Sequence, residues 1–123
     1  MANQIVWFDT PVTDLDRAIR FYSSVLGVPV KKEQYPGMTF AVLPHEKDDV
    51  AGCLTPGCAD EGVKPSDQGS LLYFNCQGRL DAAIAAVEPN AGKVLQAKHQ
   101  IGPYGSRAVV LDSEGNRIAL HSM

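Results

Sequence analysis

Thr13-Asp14-Leu15-Asp16-Arg17-Ala18-Ile19-Arg20-Phe21-Tyr22-Ser23-Ser24-Val25-Leu26-Gly27-Val28 decides the fold, because a weaker copy of it recurs later in the chain. Leu15-Asp16-Arg17-Ala18-Ile19 is echoed by Leu80-Asp81-Ala82-Ala83-Ile84, and Gly27 by Gly92, both at the same offset. The apolar residues Leu15, Ala18, Ile19, Tyr22, Val25 and Leu26 recur at spacings of three and four, so the stretch reads as a helix with one buried face. Thr13 is the expected N-cap, with Asp16 as a capping-box variant and Val12 as the staple residue. Gly27 suits the left-handed position past the last turn, and Pro29 forbids continuation.

Working outward, Ile5–Phe8 is a β-branched and aromatic run expected to be a strand that Asp9-Thr10-Pro11 ends. After the helix come an edge strand at 30–34, a turn at Pro36-Gly37 and strands at 38–43 and 50–55. A loop covers His45 to Asp49. Residues 56–69, with two prolines and three glycines, read as a surface linker. The order then repeats: a strand at 70–76, a helix marked by Leu80, Ala83, Ile84 and Val87, and a truncation at Pro89. Strands follow at 93–97 (extended by 98–100), 107–111 and 116–121. Asp112-Ser113-Glu114-Gly115 is the hairpin joining the last two. The expected fold is α+β: two βαβββ modules, about 4–55 and 70–123, in a single domain.

A chain of 123 residues, 45% hydrophobic, 20% charged and of formal charge −3, is large enough to bury one core. This balance gives no electrostatic reason to expect nucleic acid or an anionic membrane as partner. No apolar run approaches the roughly 20 residues of a membrane span. The amino terminus lacks the pattern of a secretory signal, so a cytoplasmic location is expected. Cys53, Cys58 and Cys76 match no zinc spacing and are expected to be reduced thiols.

Pro11 to Ile19 with Phe21-Tyr22 and Leu26-Gly27, together with Leu111-Asp112-Ser113-Glu114-Gly115-Asn116-Arg117-Ile118-Ala119-Leu120, resemble the vicinal oxygen chelate superfamily of glyoxalases, bleomycin-resistance proteins and extradiol dioxygenases. The resemblance spans nearly the whole chain. It implies two modules forming a cup-shaped mixed sheet with the helices outside, and often a homodimer. It also implies four cup-facing ligand positions for a metal in the members that use one. Here those positions hold Trp7, Cys53, Leu71 (or Leu72, one residue along) and Ala119. An indole, a lone thiol and two alkyl groups make no site for a divalent cation, so no metal and no other cofactor is expected.

Strand alternation would place Trp7 on the cup face with Ile5 and Asp9, Cys53 with Ala51 and Thr55, Tyr73 with Leu71 and Asn75, and His121 with Ala119 and Arg117. The expected ligand-contacting set is Trp7, Phe40, Cys53, Leu71, Tyr73, Asn75, Tyr104, Ala119 and His121, an apolar wall with a few polar tips. Plainer alternatives stand beside them: Trp7 in a core or dimer interface, His121 as a surface or interface residue, Tyr104 as a turn aromatic, Tyr73 and Asn75 as cross-strand partners. His121 and Cys53 are the candidates for chemistry, as a general base and a nucleophile. The ligand expected is a small, partly apolar or carbonyl-bearing molecule. Two functions stand: a metal-free glyoxalase-like enzyme of lyase or isomerase type, or a drug-sequestering binder without turnover. An accessory domain docking on a partner trails both.

Overall fold

Helix α1, Leu15–Leu26, buries Leu15, Ala18, Phe21, Tyr22 and Val25, the stripe expected from its periodicity. A computed structural model describes residues 3–56 and 64–123. Cys58 and the middle of the expected linker lie outside the described residues. In chain order the strands are β1 Trp7–Val12, β2 Lys31–Tyr35, β3 Met38–Val42, β4 Ala51–Pro56, β5 Leu72–Asn75, β6 Lys93–Gln100, β7 Ser106–Leu111 and β8 Arg117–Ser122. Helix α2 spans Leu80–Val87, and a short 3-10 turn at Glu88–Asn90 follows it, carrying the Pro89 that ends the α-helix.

The two modules build two four-stranded mixed sheets, ordered β1-β4-β3-β2 and β5-β8-β7-β6. In each, the strand before the helix runs parallel to the last strand of the module. That pairing requires the helix as crossover. One face of each sheet packs against the helices, and a single apolar cluster joins Val12, Phe21, Tyr22 and Leu54 of the first module to Phe74, Val87, Ile118 and Leu120 of the second. Phe8 meets Phe74 edge-on at 5.7 Å, and Tyr22 lies 5.3 Å from Phe74. These ring pairs bind the modules together beyond simple area burial.

Several local expectations change. β1 does not end at Asp9 but runs on through Pro11 to Val12. Proline is tolerated because β1 is an edge strand and its missing N–H interrupts no ladder on the open side. The N-cap of α1 is Asp14, whose carboxylate accepts from the Arg17 N–H at 3.0 Å, and not Thr13. The Thr13 and Asp14 N–H groups instead donate to Glu114 of the distant β7–β8 hairpin, at 2.8 and 2.7 Å. Gly27 closes α1 as expected, at φ +70°. Its sequence echo Gly92 does not play that part: Ala91 takes the left-handed position, at φ +73°. Gly92 is needed for space, since a Cβ there would stand 2.6 Å from the Phe21 ring and 2.7 Å from the Leu111 carbonyl.

Candidate functional site

The helix-free face of each sheet carries the expected site residues, and alternation puts them there. On the first sheet Trp7, Asp9 and Pro11 of β1 lie opposite Ala51, Cys53 and Thr55 of β4. The Trp7 Nε1–H donates to Asp9 Oδ1 at 2.8 Å, and the Cys53 thiol donates to the same oxygen at 3.2 Å. Trp7 stays 46% exposed while Cys53 is buried. Phe40 shares this face, being two residues before Val42, which pairs with Cys53, and stacks on Tyr35 at 5.7 Å. Glu33 accepts from the Tyr35 hydroxyl at 2.8 Å, which raises the pKa of that phenol.

Cys53 lacks the environment of a nucleophile. Burial, and then the hydrogen bond to the Asp9 carboxylate, push its thiol up to about 12. A thiol beside a carboxylate stays protonated at neutral pH, and only the thiolate attacks. Peptide-resolved alkylation of the native protein at pH 8 should therefore label Cys53 far more slowly than the unfolded chain. Equal rates would show the thiol to be open and ionisable.

On the second sheet Tyr73 pairs with Ala119 and Asn75 with His121. This register also places the alternatives at the start of β5: Leu72 pairs with Ile118 and packs against the core, leaving Leu71 to share the side of Tyr73. Across the β7–β8 ladder Val109 faces Ala119 and Arg107 faces His121. Ala119 is fully buried among these neighbours. His121 Nε2 lies 2.6 Å from the Tyr104 carbonyl and must carry the proton there, so Nδ1 is the nitrogen left to accept.

Tyr73, Tyr104 and His121 are brought together with Ile101 around a cavity of about 420 Å³. Leu71, Tyr73 and Asn75 line a second, apolar groove of about 630 Å³ with Ile5, Phe8 and Val28. Neither is lined by Trp7, Phe40 or Cys53. The expected set is therefore split between two sheet faces. Gly105 holds the Tyr104 turn close to the sheet: its φ of +93° suits glycine alone, and a Cβ there would meet the Ser122 carbonyl at 2.4 Å.

Two residues of this face escaped the sequence reading. Arg107 donates from Nε to His99 Nε2 at 3.0 Å and from Nη1 to the Tyr73 hydroxyl, and its guanidinium carbon sits 5.8 Å from the Tyr73 ring centroid. His99 Nδ1 in turn donates to the Ala97 carbonyl at 2.8 Å, which leaves Nε2 free to accept. The signal for Arg107 was present in the strand alternation, two residues before Val109. That for His99 was not.

The four metal positions carried over from the resemblance hold side chains that do not fit a divalent cation. Tyr73, opposite Ala119, adds only a phenol hydroxyl.

The family model for the Glyoxalase/Bleomycin resistance protein/Dioxygenase superfamily matches residues 4–120. A glyoxylase-like domain-containing protein of Didymella fabae is 32% identical, with 95% of this chain and 91% of that protein covered. CFP32 of Mycobacterium bovis, named as a glyoxylase, is 27% identical over 93% of this chain. The chain spans only 43% of the length of CFP32. Among solved structures, a glyoxalase/bleomycin resistance protein from Albidiferax ferrireducens superposes with a TM-score of 0.75 at 20% identity, covering 98% of this chain and 99% of the other. TnmS3, an antibiotic binding protein from Streptomyces sp. CB03234, superposes with a TM-score of 0.67 at 20% identity, covering 98% and 95%.

Proposed function

The chain belongs to the glyoxalase/bleomycin resistance/dioxygenase superfamily, and on that premise we propose that it binds a small, partly aromatic molecule without a metal and without turning it over. The observation that carries this reading is the pairing of aromatic walls with an unreactive polar set. Tyr73 and Tyr104 flank a cavity of about 420 Å³, in the size range of small-ligand sites. Cys53 is kept protonated by burial and then by the Asp9 carboxylate. An antibiotic binding protein with the same fold is consistent with sequestration.

The binding unit in this reading is a homodimer in the cytoplasm. Trp7, Tyr35, Met38, Tyr73 and Tyr104 all stand exposed on or beside the helix-free faces, more apolar surface than a lone chain gains from showing. A second copy would cover these faces by pairing a first-module sheet with a second-module sheet, a closed two-fold arrangement. No helix is long and apolar enough to cross a membrane among the described residues. Cys53 and Cys76 are free thiols, which suits a reducing compartment.

The test is a screen of planar aromatic ligands by Trp7 emission, with the bound ligand then recovered and weighed by mass spectrometry. Saturable binding with the ligand returned unchanged is expected, from a protein whose solution mass is two chains. A ligand recovered chemically altered would replace sequestration with the enzyme reading, a lyase or isomerase without a metal. A monomeric mass would remove the dimer.

A further inference from the structure

We propose that Arg107, held between His99 and Tyr73 beside the Tyr73–Tyr104–His121 cavity, selects ligands that carry a carboxylate on an aromatic ring. This deepens the binding function proposed above and rests on it.

Arg107 projects from the helix-free face of β7, opposite His121 of β8. A guanidinium has five N–H donors and no acceptor. Two of them are used, and both go to neutral groups: Nε to the bare Nε2 of His99, and Nη1 to the Tyr73 hydroxyl. Among the described residues the ion pairs are Arg17–Glu114, Lys32–Asp16 and Lys98–Asp81, so Arg107 has no carboxylate partner there. Its charge is left uncompensated on a half-buried side chain, a costly arrangement that a bound anion would relieve.

The surrounding bonds fix the fork without neutralising it. His99 can accept only because its other nitrogen is committed to the Ala97 carbonyl, at 2.8 Å. The Tyr73 ring, with the guanidinium carbon 5.8 Å from its centroid, holds the plane from a second side. One Nη1–H and both Nη2–H donors remain for a ligand, and a carboxylate takes one from each nitrogen as two parallel hydrogen bonds. Preorganisation of this kind lowers the ordering cost of binding.

The cavity supplies the rest of the specificity. It is lined by Tyr73, Ile101, Tyr104 and His121, so the body of the ligand meets aromatic and aliphatic walls while its charged end meets Arg107. Tyr73 serves both parts: its ring forms the wall and its hydroxyl steadies the cation. A flat ring with one carboxylate satisfies both requirements.

Benzoate and its neutral isostere benzamide separate this inference from general stickiness. Isotope-detected NMR titration of the whole protein should show benzoate shifting the resonances of Ala119, His99 and His121. Benzoate should bind at least about tenfold more tightly than benzamide, the scale of one charge-assisted bond. Arg107→Gln should erase that preference. Arg107→Lys, which keeps the charge and loses the fork, should retain only part of it. Equal affinity of the wild type for the two probes overturns the inference, as does a benzoate preference that survives Arg107→Gln. The neutral dye N-phenyl-1-naphthylamine is the control for the underlying function. If the dye binds and benzoate shows no preference, small-molecule binding stands and the carboxylate selection falls. If neither binds, both fall. Should Arg107→Gln not fold, a reduced benzoate preference in Arg107→Lys that weakens further in rising salt supports the inference in its place, and an undiminished one overturns it.

Discussion

Asp112→Ala should destabilise the protein by about 3–5 kcal/mol, the range seen when a buried charged partner is removed and its donors are stranded. Asp112 is buried at the end of β7 and takes four hydrogen bonds. Tyr22 Oη donates at 2.6 Å, the Glu114 and Asn116 N–H groups at 2.8 and 2.9 Å, and the Asn116 side chain at 3.0 Å. Tyr22 is completely buried in α1, and burial first, then the neighbouring Asp112 charge, raises its phenol well above the usual range. It therefore remains a donor at every accessible pH. Removing its acceptor leaves a hydroxyl in the core with no water to replace the bond. Tyr22→Phe removes the donor instead and leaves Asp112 three others, so it should cost only about 1–2 kcal/mol. Urea denaturation of the two variants measures both. Near-equal losses would show that the carboxylate is relaxed by solvent and not committed to the core. A domain of this size has about 5–15 kcal/mol in all, so the larger loss removes a substantial share.

The reason this contact matters is its reach. Tyr22 belongs to the first module and Asp112 to the second, and such long-range pairings are what the sequence concealed. The helices were legible because their determinants are local: the spacing of Leu15, Ala18, Tyr22 and Val25 and the stop at Gly27 are properties of a single stretch. The cap of α1 was not, because Glu114 lies a hundred residues downstream of the backbone groups it binds. Pro11 misled for a related reason. Proline ends a strand that is paired on both sides, and only the sheet order shows that β1 has an open edge.

The site was legible in proportion to the regularity of its strands. Trp7, Cys53, Tyr73 and His121 lie on strands where alternation holds, and each pairs as alternation requires. His99 lies on β6, where register shifts intervene between Val94 and Gln96 and again between Gln96 and His99. Gln96 and His99 consequently face the same way although they are three positions apart. Counting by twos fails there, and the histidine that steadies Arg107 is invisible until the ladder is known. Which residues share a cavity was equally hidden. Trp7 and His121 occupy equivalent faces of two sheets, and the distance between those faces is set by how α1 and α2 pack, not by anything within either strand.

Glu114→Gln should cost about 2–3 kcal/mol at pH 7, the scale of charge-assisted bonds lost from a buried carboxylate. The Glu114 side chain is fully shielded. Oε1 accepts from the Thr13 and Asp14 N–H groups and from Arg17 Nη2, and Oε2 accepts from Arg17 Nε and the Ser113 hydroxyl, all at 2.7–2.9 Å. Glutamine keeps one acceptor for the helix terminus but turns an amide N–H₂ toward the Arg17 and Ser113 donors. The loss should carry a particular pH signature. Burial alone would raise this carboxyl, yet the bonds from Arg17, Asp14, Ser113 and Thr13 outweigh it and hold the pKa at about 2. A carboxyl depressed by folding stabilises fully above its unfolded value, near pH 4.5, and its contribution fades as pH falls from there toward 2. The stability gap between wild type and Glu114→Gln should thus be level from pH 8 to about pH 5 and shrink steadily on acidification. A gap that stays constant down to pH 3, or widens, would mean that Glu114 is not held as the anion capping α1. Because the bonds run from the last hairpin of the second module to the first turn of α1, the same titration also reports how firmly acid loosens one module from the other.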